Sequence, residues 1–392
     1  MEFSRRLERI KPFIVMEVLE KAKQMERKGI DVKHLEIGEP DFDTPQRIIN
    51  GCMDEISRGK THYTHSLGIL ELREAIAENK YDQREVQFDP ETEMMITSGT
   101  SPAFFNIMSV LIDSPDEIII TDPGYPCYVN FVNFFNGKVT MLPIYEKDEF
   151  NLDMERLKDK ITSNTKALIL NSPSNPTGQI IPEETLEGVA DLVQDHQFWV
   201  ISDEIYSELT YTGSIAPSLS DKELYDKVKD RLIILDGFSK IYAMTGWRLG
   251  YIISPPKFNA AMIPIQQNFS ICAPSISQVA GMYALNCEDD KKNMIQTYKK
   301  RRDYIVEEVN KIEGISCLTP PGAFYIFVNI KKTGKDSMNF STQLLEKAHV
   351  ATCPGVSFGP HGDDFIRLSY ATELNEIKIA IDKLRTFVEK EI

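Results

Sequence analysis

The chain has 392 residues, of which 42% are hydrophobic and 26% charged, and its formal net charge is −15. This length predicts about two or three domains, and the negative charge argues against a nucleic-acid-binding surface. No apolar run reaches the ~18 residues of a membrane span, and the N-terminus lacks a secretory signal pattern, so we expect a cytoplasmic protein. The cysteines contain no CxxC pair, so we expect neither a metal site nor disulfides.

Alternating strands and helices make up most of the chain. Residues 14–28 have the apolar spacing of an amphipathic helix, which ends at Gly29. Six apolar strand candidates follow, alternating with helical patterns: 94–97, 117–120, 167–170, 199–202, 232–235 and 249–253. Near-continuous apolar runs of this length fit strands that are covered on both faces. They predict a largely parallel sheet in an α/β layer fold.

The pattern changes after about residue 290. A long polar helix at 291–312 precedes a strand at 323–329, and a helix, a strand at 365–370 and a closing helix complete the chain. This order predicts a smaller α+β domain. We therefore expect an N-terminal arm and helix (1–45) that join the small domain, a large domain (46–287) and a small C-terminal domain (288–392).

Polar or glycine-rich clusters follow nearly every predicted strand of the large domain, where ligands bind in open α/β sheets. Gly99, Thr100 and Ser101 come directly before a helical run, so their backbone N–H groups could bind a phosphate. An ordinary helix cap explains the same residues equally well.

Two loops present side chains in restricted geometry. Tyr125 follows Asp-Pro-Gly and could lie against an aromatic ligand, although a surface turn is an equal alternative. Asn175 precedes a proline, which favours an extended backbone and fixes the direction of its amide. A simple proline turn is the alternative there.

Asp203 ends an apolar strand, and burying its carboxylate without a partner would be costly. A pyridinium N–H would give it a charge-assisted hydrogen bond, and Tyr206 could face the same ligand. In isolation, Asp203 would be interpreted as a helix N-cap.

Lys240 lies just past the strand at 232–235 and eight positions before Arg248. An amine there, with an arginine close behind it, suits a Schiff base to an aldehyde cofactor that carries a phosphate. Pyridoxal phosphate is such a cofactor, and an aspartate partner for its ring nitrogen is a known pairing. Taken alone, Lys240 would be interpreted as a solvated loop lysine.

An ordered set of motifs combines these residues. Asn175-Pro-Thr-Gly178, Asp203-Glu-Ile-Tyr206 and Ser239-Lys240…Gly246-Trp-Arg248 occur in this order, with Leu35-Glu-Ile-Gly38-Glu-Pro before them and Phe365-Ile-Arg367 after them. The chain resembles the class I/II aminotransferases of the aspartate aminotransferase family over nearly its whole length. The resemblance implies fold type I of the pyridoxal phosphate enzymes, with a mostly parallel seven-stranded sheet and a smaller α+β domain.

The resemblance also implies a role for each matching residue. Lys240 would bond covalently to the cofactor and, once released, carry a proton; Asp203 would pair with the ring nitrogen; and Asn175 and Tyr206 would contact the phenolate oxygen. Tyr125 would stack on the ring. The residues implied at the phosphate are Gly99, Thr100, Ser101, Ser239 and Arg248.

Two further implied contacts concern the substrate and the neighbouring subunit. Arg367 would bind the substrate α-carboxylate, helped by Asn175 and the backbone N–H of Gly38. Tyr63 would reach the phosphate in the neighbouring subunit, so the expected active unit is a homodimer. Gly237 departs from the family pattern, because many relatives carry a serine there whose hydroxyl binds the cofactor phosphate. The phosphate would therefore have one hydrogen bond fewer, which is worth about 0.5–1.5 kcal/mol.

The function expected from this resemblance is transfer of an amino group from an L-amino acid to a 2-oxo acid, with 2-oxoglutarate as the default acceptor and ping-pong kinetics. A carbon–sulfur β-lyase on the same fold is the alternative, and a non-catalytic effector-binding protein is a weaker one. The expected partners are the two substrates and a second copy of the chain, with neither nucleic acid nor membrane. Neither the donor nor a second arginine for a distal carboxylate can be identified from the sequence.

Overall fold

The computed structural model describes residues 3–391. Its strands, in chain order, are β1 (Lys33–His34), β2 (Met94–Thr97), β3 (Glu117–Asp122), β4 (Lys138–Pro143), β5 (Thr165–Asn171), β6 (Trp199–Asp203), β7 (Leu232–Gly237), β8 (Gly250–Ile253), β9 (Ser316–Cys317), β10 (Tyr325–Asn329), β11 (Val350–Ala351), β12 (Cys353–Pro354) and β13 (Phe365–Ser369). Its α-helices are α1 (Ile14–Glu26), α2 (Gln46–Ser57), α3 (Leu70–Arg84), α4 (Thr100–Leu111), α5 (Pro126–Phe134), α6 (Met154–Lys160), α7 (Glu183–His196), α8 (Lys222–Val228), α9 (Pro256–Phe269), α10 (Ser275–Ala284), α11 (Glu288–Val309), α12 (Ser337–Gln343) and α13 (Leu374–Glu391).

The central sheet has seven strands in the order β2-β8-β7-β6-β5-β3-β4. Only β8 runs antiparallel to its neighbours, and the other pairings are parallel. The predicted mostly parallel sheet is confirmed, and all six predicted strands belong to it. The prediction missed β4, an edge strand whose side chains are mostly half-buried.

Alternating side chains of the central strands enter two cores, one on each face of the sheet. On β5, for example, Leu168 and Leu170 belong to one apolar cluster, whereas Ala167 and Ile169 belong to the other. This alternation follows from the two-residue period of a strand. Helices therefore cover both faces of the sheet.

A second, antiparallel sheet has the order β12-β13-β10-β9. Strand β1, near the start of the chain, pairs in parallel with β11, near its end. Ala22 of α1 and Val32 pack with Leu345 and Ala351 in a small apolar cluster of their own. The N-terminal helix therefore contacts the C-terminal part of the chain.

Among residues 3–391, no helix is long and apolar enough to cross a membrane. Within the same range, no group of three His, Cys, Asp or Glu side chains is placed to hold a metal ion.

Candidate active site

A cavity of about 340 Å³ lies at the carboxyl ends of the central strands. The loop after β1, helix α1 and strands β10 and β13 close it from the other side. It brings together all but two of the residues that the sequence predicts: Gly38, Thr100, Ser101, Tyr125, Asn175, Asp203, Tyr206, Ser239, Lys240, Arg248 and Arg367. Parallel strands place their carboxyl ends along one edge of a sheet, which is why residues so far apart in sequence meet here.

Asp203, the last residue of β6, is a buried carboxylate on the cavity wall. The Tyr128 hydroxyl donates to its Oδ2 at 2.6 Å, and the backbone N–H of Ile205 donates to its Oδ1 at 3.3 Å. Burial raises its pKa to about 7, and these two hydrogen bonds only partly oppose that shift. Within the described residues Asp203 forms no ion pair, and it lines the cavity, so a cationic N–H of a ligand is a fitting partner for it.

Lys240 is partly buried, and its Nζ donates to the carbonyl oxygen of Gly38 at 2.7 Å. Burial lowers its pKa to about 8, and the charges of Arg367 and Arg248 act in the same direction. The Glu39 carboxylate opposes the shift. An amine with this pKa is a usable nucleophile and proton carrier near neutral pH.

The start of helix α4 forms an anion-binding corner with Arg248. Gly99 caps the helix at φ 94°, and a Cβ built there would lie 2.6 Å from Nη2 of Arg248. Thr100 and Ser101 are the first two residues of the helix and line the cavity. Free backbone N–H groups, the helix dipole and a guanidinium together suit a phosphate dianion.

Arg367 on β13 has an incompletely used guanidinium. Its Nη1 donates to Oδ1 of Asn175 at 3.0 Å and its Nη2 to the backbone oxygen of Glu36. Its Nε is buried and has no hydrogen-bond partner among the described residues. The Tyr325 and Phe358 rings lie 4.5 and 5.1 Å from its Cζ and hold its plane. A carboxylate entering the cavity is a fitting ligand for this group.

Tyr63 is the predicted residue that lies apart. Its side chain is 81% exposed and does not line the cavity of its own chain. Gly237 is packed so closely that a Cβ would lie 2.9 Å from the Leu249 carbonyl oxygen. A serine at 237 would therefore require the surrounding backbone to shift.

Sequence reasoning missed several lining residues. Tyr128 lies one helical turn after Tyr125, a spacing that could have identified it. Asn171 ends β5; its Nδ2 donates to the Asp203 carbonyl at 3.0 Å, and its Oδ1 accepts from the Asn175 N–H at 2.9 Å. Tyr325, whose hydroxyl lies 2.8 Å from that of Tyr206, comes from β10 and gave no local signal. The other missed residues are Phe13, Val15, Met16, Leu19, Ile37, Glu39, Ile205 and Thr245.

Residues 30–384 match the family model of aminotransferase class I and II. The chain belongs to this family of transaminases, and it is an enzyme of amino-group transfer. The resemblance found in the sequence is thus confirmed, together with its fold type.

Individual relatives have different substrates in their names. The chain is 39% identical to the (5-formylfuran-3-yl)methyl phosphate transaminase of Methanocaldococcus jannaschii, covering 99% of this chain and 100% of the relative. It is 38% identical to an aspartate aminotransferase of Pyrococcus abyssi, covering 98% and 97%. The crystal structure of the aromatic aminotransferase of Pyrococcus horikoshii superposes with a TM-score of 0.89 at 37% identity, covering 94% and 99%. Similarity alone therefore does not select a substrate.

Proposed function

We propose that the protein is a pyridoxal phosphate-dependent transaminase that moves the amino group of an L-amino acid to a 2-oxo acid by a ping-pong mechanism. One observation carries this proposal: an amine of lowered pKa (Lys240), an unpaired buried carboxylate (Asp203) and an anion-binding helix start share one cavity. These are the three groups that the aldehyde, ring nitrogen and phosphate of that cofactor require. By family analogy, 2-oxoglutarate is the first acceptor to test.

The residues present fit the cofactor. Asp203 would accept the hydrogen bond from the ring N–H, Tyr125 would cover the ring, and Asn175 and Tyr206 would contact the phenolate oxygen. Gly99, Thr100, Ser101, Ser239 and Arg248 would hold the phosphate. When bound, the cofactor supplies an electron sink for the charge that develops at the substrate Cα.

The chain's own side chains supply the remaining functions. Lys240 would attach the cofactor covalently and, once released, its Nζ would take the proton from the substrate Cα as a general base. Arg367 would bind the α-carboxylate through its guanidinium N–H groups, with the Gly38 N–H, while Asn175 holds the guanidinium in place. Fixing the carboxylate orients the Cα–H bond for proton removal, which is a positioning effect.

A steady-state assay tests this function. Purified enzyme with pyridoxal phosphate is assayed with a panel of L-amino acids against 2-oxoglutarate, oxaloacetate and pyruvate, with Lys240→Ala as the control. We expect Lys240-dependent product formation and parallel double-reciprocal lines. Release of pyruvate and ammonia from a sulfur amino acid without an acceptor would identify a β-lyase instead.

We also propose a cytoplasmic homodimer whose two sites share Tyr63. Large apolar side chains are exposed near that residue, among them Phe269, Ile271 and Ile276. Gln278 connects the two segments, because its Nε2 donates both to Oγ1 of Thr64 and to the Ala273 carbonyl, each at 2.9 Å. The proposed domain division remains 1–45 with 288–392 around 46–287.

A further inference from the structure

The charged groups around the cavity limit which substrate side chains it can bind. Within the described residues, the cations that line it are Lys240, Arg248 and Arg367. Under the proposed function these bind the cofactor aldehyde, the phosphate and the substrate α-carboxylate. No lining cation is left for a second carboxylate on the substrate.

One wall of the cavity is apolar and comes from the N-terminal helix. Phe13 precedes α1, Val15, Met16 and Leu19 lie on its first turns, and Ile37 follows β1. The Phe13 ring packs edge-on against Tyr125, with centroids 6.3 Å apart. The wall therefore begins beside the residue that would cover the cofactor ring. A charged substrate group placed against it would lose water without gaining a partner.

Glu39 adds a negative charge to the same region. It lines the cavity, and Oγ1 of Thr245 donates to its Oε1, which holds the carboxylate in position. Its charge is close enough to Lys240 to oppose the lowering of that amine's pKa. A second substrate carboxylate in this region would be repelled by Glu39.

We propose, on the basis of the proposed function, that this pocket selects amino acids and 2-oxo acids with apolar or aromatic side chains over dicarboxylic ones. Met16 and Glu39 are the residues that set this preference. For a dicarboxylic amino acid, whose distal carboxylate would be unpaired, kcat/KM should be about 100-fold lower than for phenylalanine or leucine. The same pocket binds the acceptor, so 2-oxoglutarate should react more slowly than phenylpyruvate.

A second copy of the chain would not supply the absent cation through its exposed apolar segment. Residues 258–290 contain no lysine or arginine. This segment includes the exposed Phe269, Ile271 and Ile276. Residues 258–290 of a second copy would therefore add no cation to the cavity, and the proposed selectivity depends on this chain's own residues.

The test measures each half-reaction separately. Enzyme with bound cofactor is mixed with phenylalanine, leucine or aspartate alone, and the single-turnover rate is followed by absorbance. Calorimetry with the unreactive analogues 3-phenylpropionate and succinate gives binding without reaction. We expect faster turnover of phenylalanine and leucine than of aspartate, and tighter binding of 3-phenylpropionate.

Charge-changing variants assign the preference to residues. Met16 is 54% exposed, so Met16→Lys is tolerated and places a cation at the apolar wall. It should raise kcat/KM for aspartate about tenfold or more, whereas Gln24→Lys, an equal charge change on the far part of the same helix, should not. Glu39→Gln should lower the ratio of kcat/KM for phenylalanine to kcat/KM for aspartate.

Three results would overturn the proposal. The first is a wild-type preference for aspartate over phenylalanine and leucine. The second is an equal change in kcat/KM for aspartate in Met16→Lys and Gln24→Lys. The third is an unchanged ratio of kcat/KM for phenylalanine to kcat/KM for aspartate in Glu39→Gln. A wild-type enzyme that reacts with none of the donors would instead contradict the proposed function itself. The two failures are therefore distinguishable.

Discussion

At the scale of single residues, Asp203 is a buried carboxylate whose position costs stability in the cofactor-free protein. Its carboxylate is buried, its pKa is raised from 3.8 to about 7 by burial, and only the Tyr128 hydroxyl and one backbone N–H contact its oxygens. In the cofactor-free protein this arrangement costs folding free energy. Under the proposed function, a cationic N–H of the bound cofactor would offset this cost.

Asp203→Asn should therefore stabilise the cofactor-free protein above pH 7. It should also reduce the rate of transamination by roughly 100-fold, because one charge-assisted hydrogen bond to the cofactor is lost. Because the folded pKa of Asp203 exceeds the unfolded one, the native state binds the extra proton, and the contribution of Asp203 to wild-type stability should fall as the pH rises from about 4 to about 7. Urea unfolding at pH 5 and pH 8 measures this. The exposed Asp195→Asn is the control, and an Asp203→Asn protein that is less stable than wild type at pH 8 would refute the account.

Residue types at strand ends were predictable, whereas their supporting contacts were not. Asp203 ends β6, and Lys240 and Asn175 follow β7 and β5 within four residues. Each has an ordinary structural alternative when taken alone, and the ordered set of motifs is what predicts a common site for them. Glu39 directly follows the predicted Gly38, whereas Tyr325 reaches the cavity from β10 through tertiary packing. No spacing in the sequence reports such an approach.

At the scale of secondary-structure elements, helix α3 stabilises the strand ends that carry the site. Nζ of Lys80 lies 2.8 Å from Oδ2 of Asp236 and 3.8 Å from Oε2 of Glu204, and all three side chains are buried. Arg84, one turn later, pairs with Asp221 at 2.7 Å. Burial alone would lower the pKa of Lys80, but the two carboxylates outweigh it and raise that pKa. Glu204 adjoins Asp203, so this cluster connects α3 to the ends of β6 and β7.

Lys80→Met should destabilise the protein by about 3–5 kcal/mol, because it leaves buried carboxylates with one cation fewer. The free energy of unfolding in urea measures the change. Lys222 forms an exposed pair with Glu85 at 2.9 Å, and Lys222→Met should have little effect. Equal losses in the two variants would show that the buried cluster does not hold the strands.

Some secondary-structure elements were predictable from sequence patterns and others were not. Long apolar runs identified the central strands, and the polar helix predicted at 291–312 corresponds to α11 (Glu288–Val309). The direction of β8 is set by its neighbours, so its composition does not reveal it. The two-residue strands β1 and β11 exist only because they pair with each other, and neither is visible as a local pattern.

At the scale of the whole molecule, the proposed homodimer makes a specific prediction about shared sites. Tyr63→Phe should weaken cofactor binding if the hydroxyl contacts the neighbouring subunit's phosphate. In hybrids of a Tyr63→Phe chain with a Lys240→Ala chain, the only site with a lysine would receive the intact Tyr63 of its neighbour. That site should regain wild-type cofactor affinity.

Fluorescence titration of purified hybrids with pyridoxal phosphate makes this comparison, and light scattering establishes the oligomeric state. Affinity in the hybrid equal to that of the Tyr63→Phe homodimer would place Tyr63 in its own subunit's site. A monomer at working concentration would contradict sharing altogether.

The central claim is that Nζ of Lys240 bonds covalently to pyridoxal phosphate. Wild-type protein reconstituted with the cofactor is reduced with borohydride, digested and mapped by mass spectrometry, alongside Lys240→Ala. The account predicts one reduced adduct per chain at Lys240, and cofactor that is bound but not trapped in the variant. An adduct at another lysine, or none in the wild type, would contradict it.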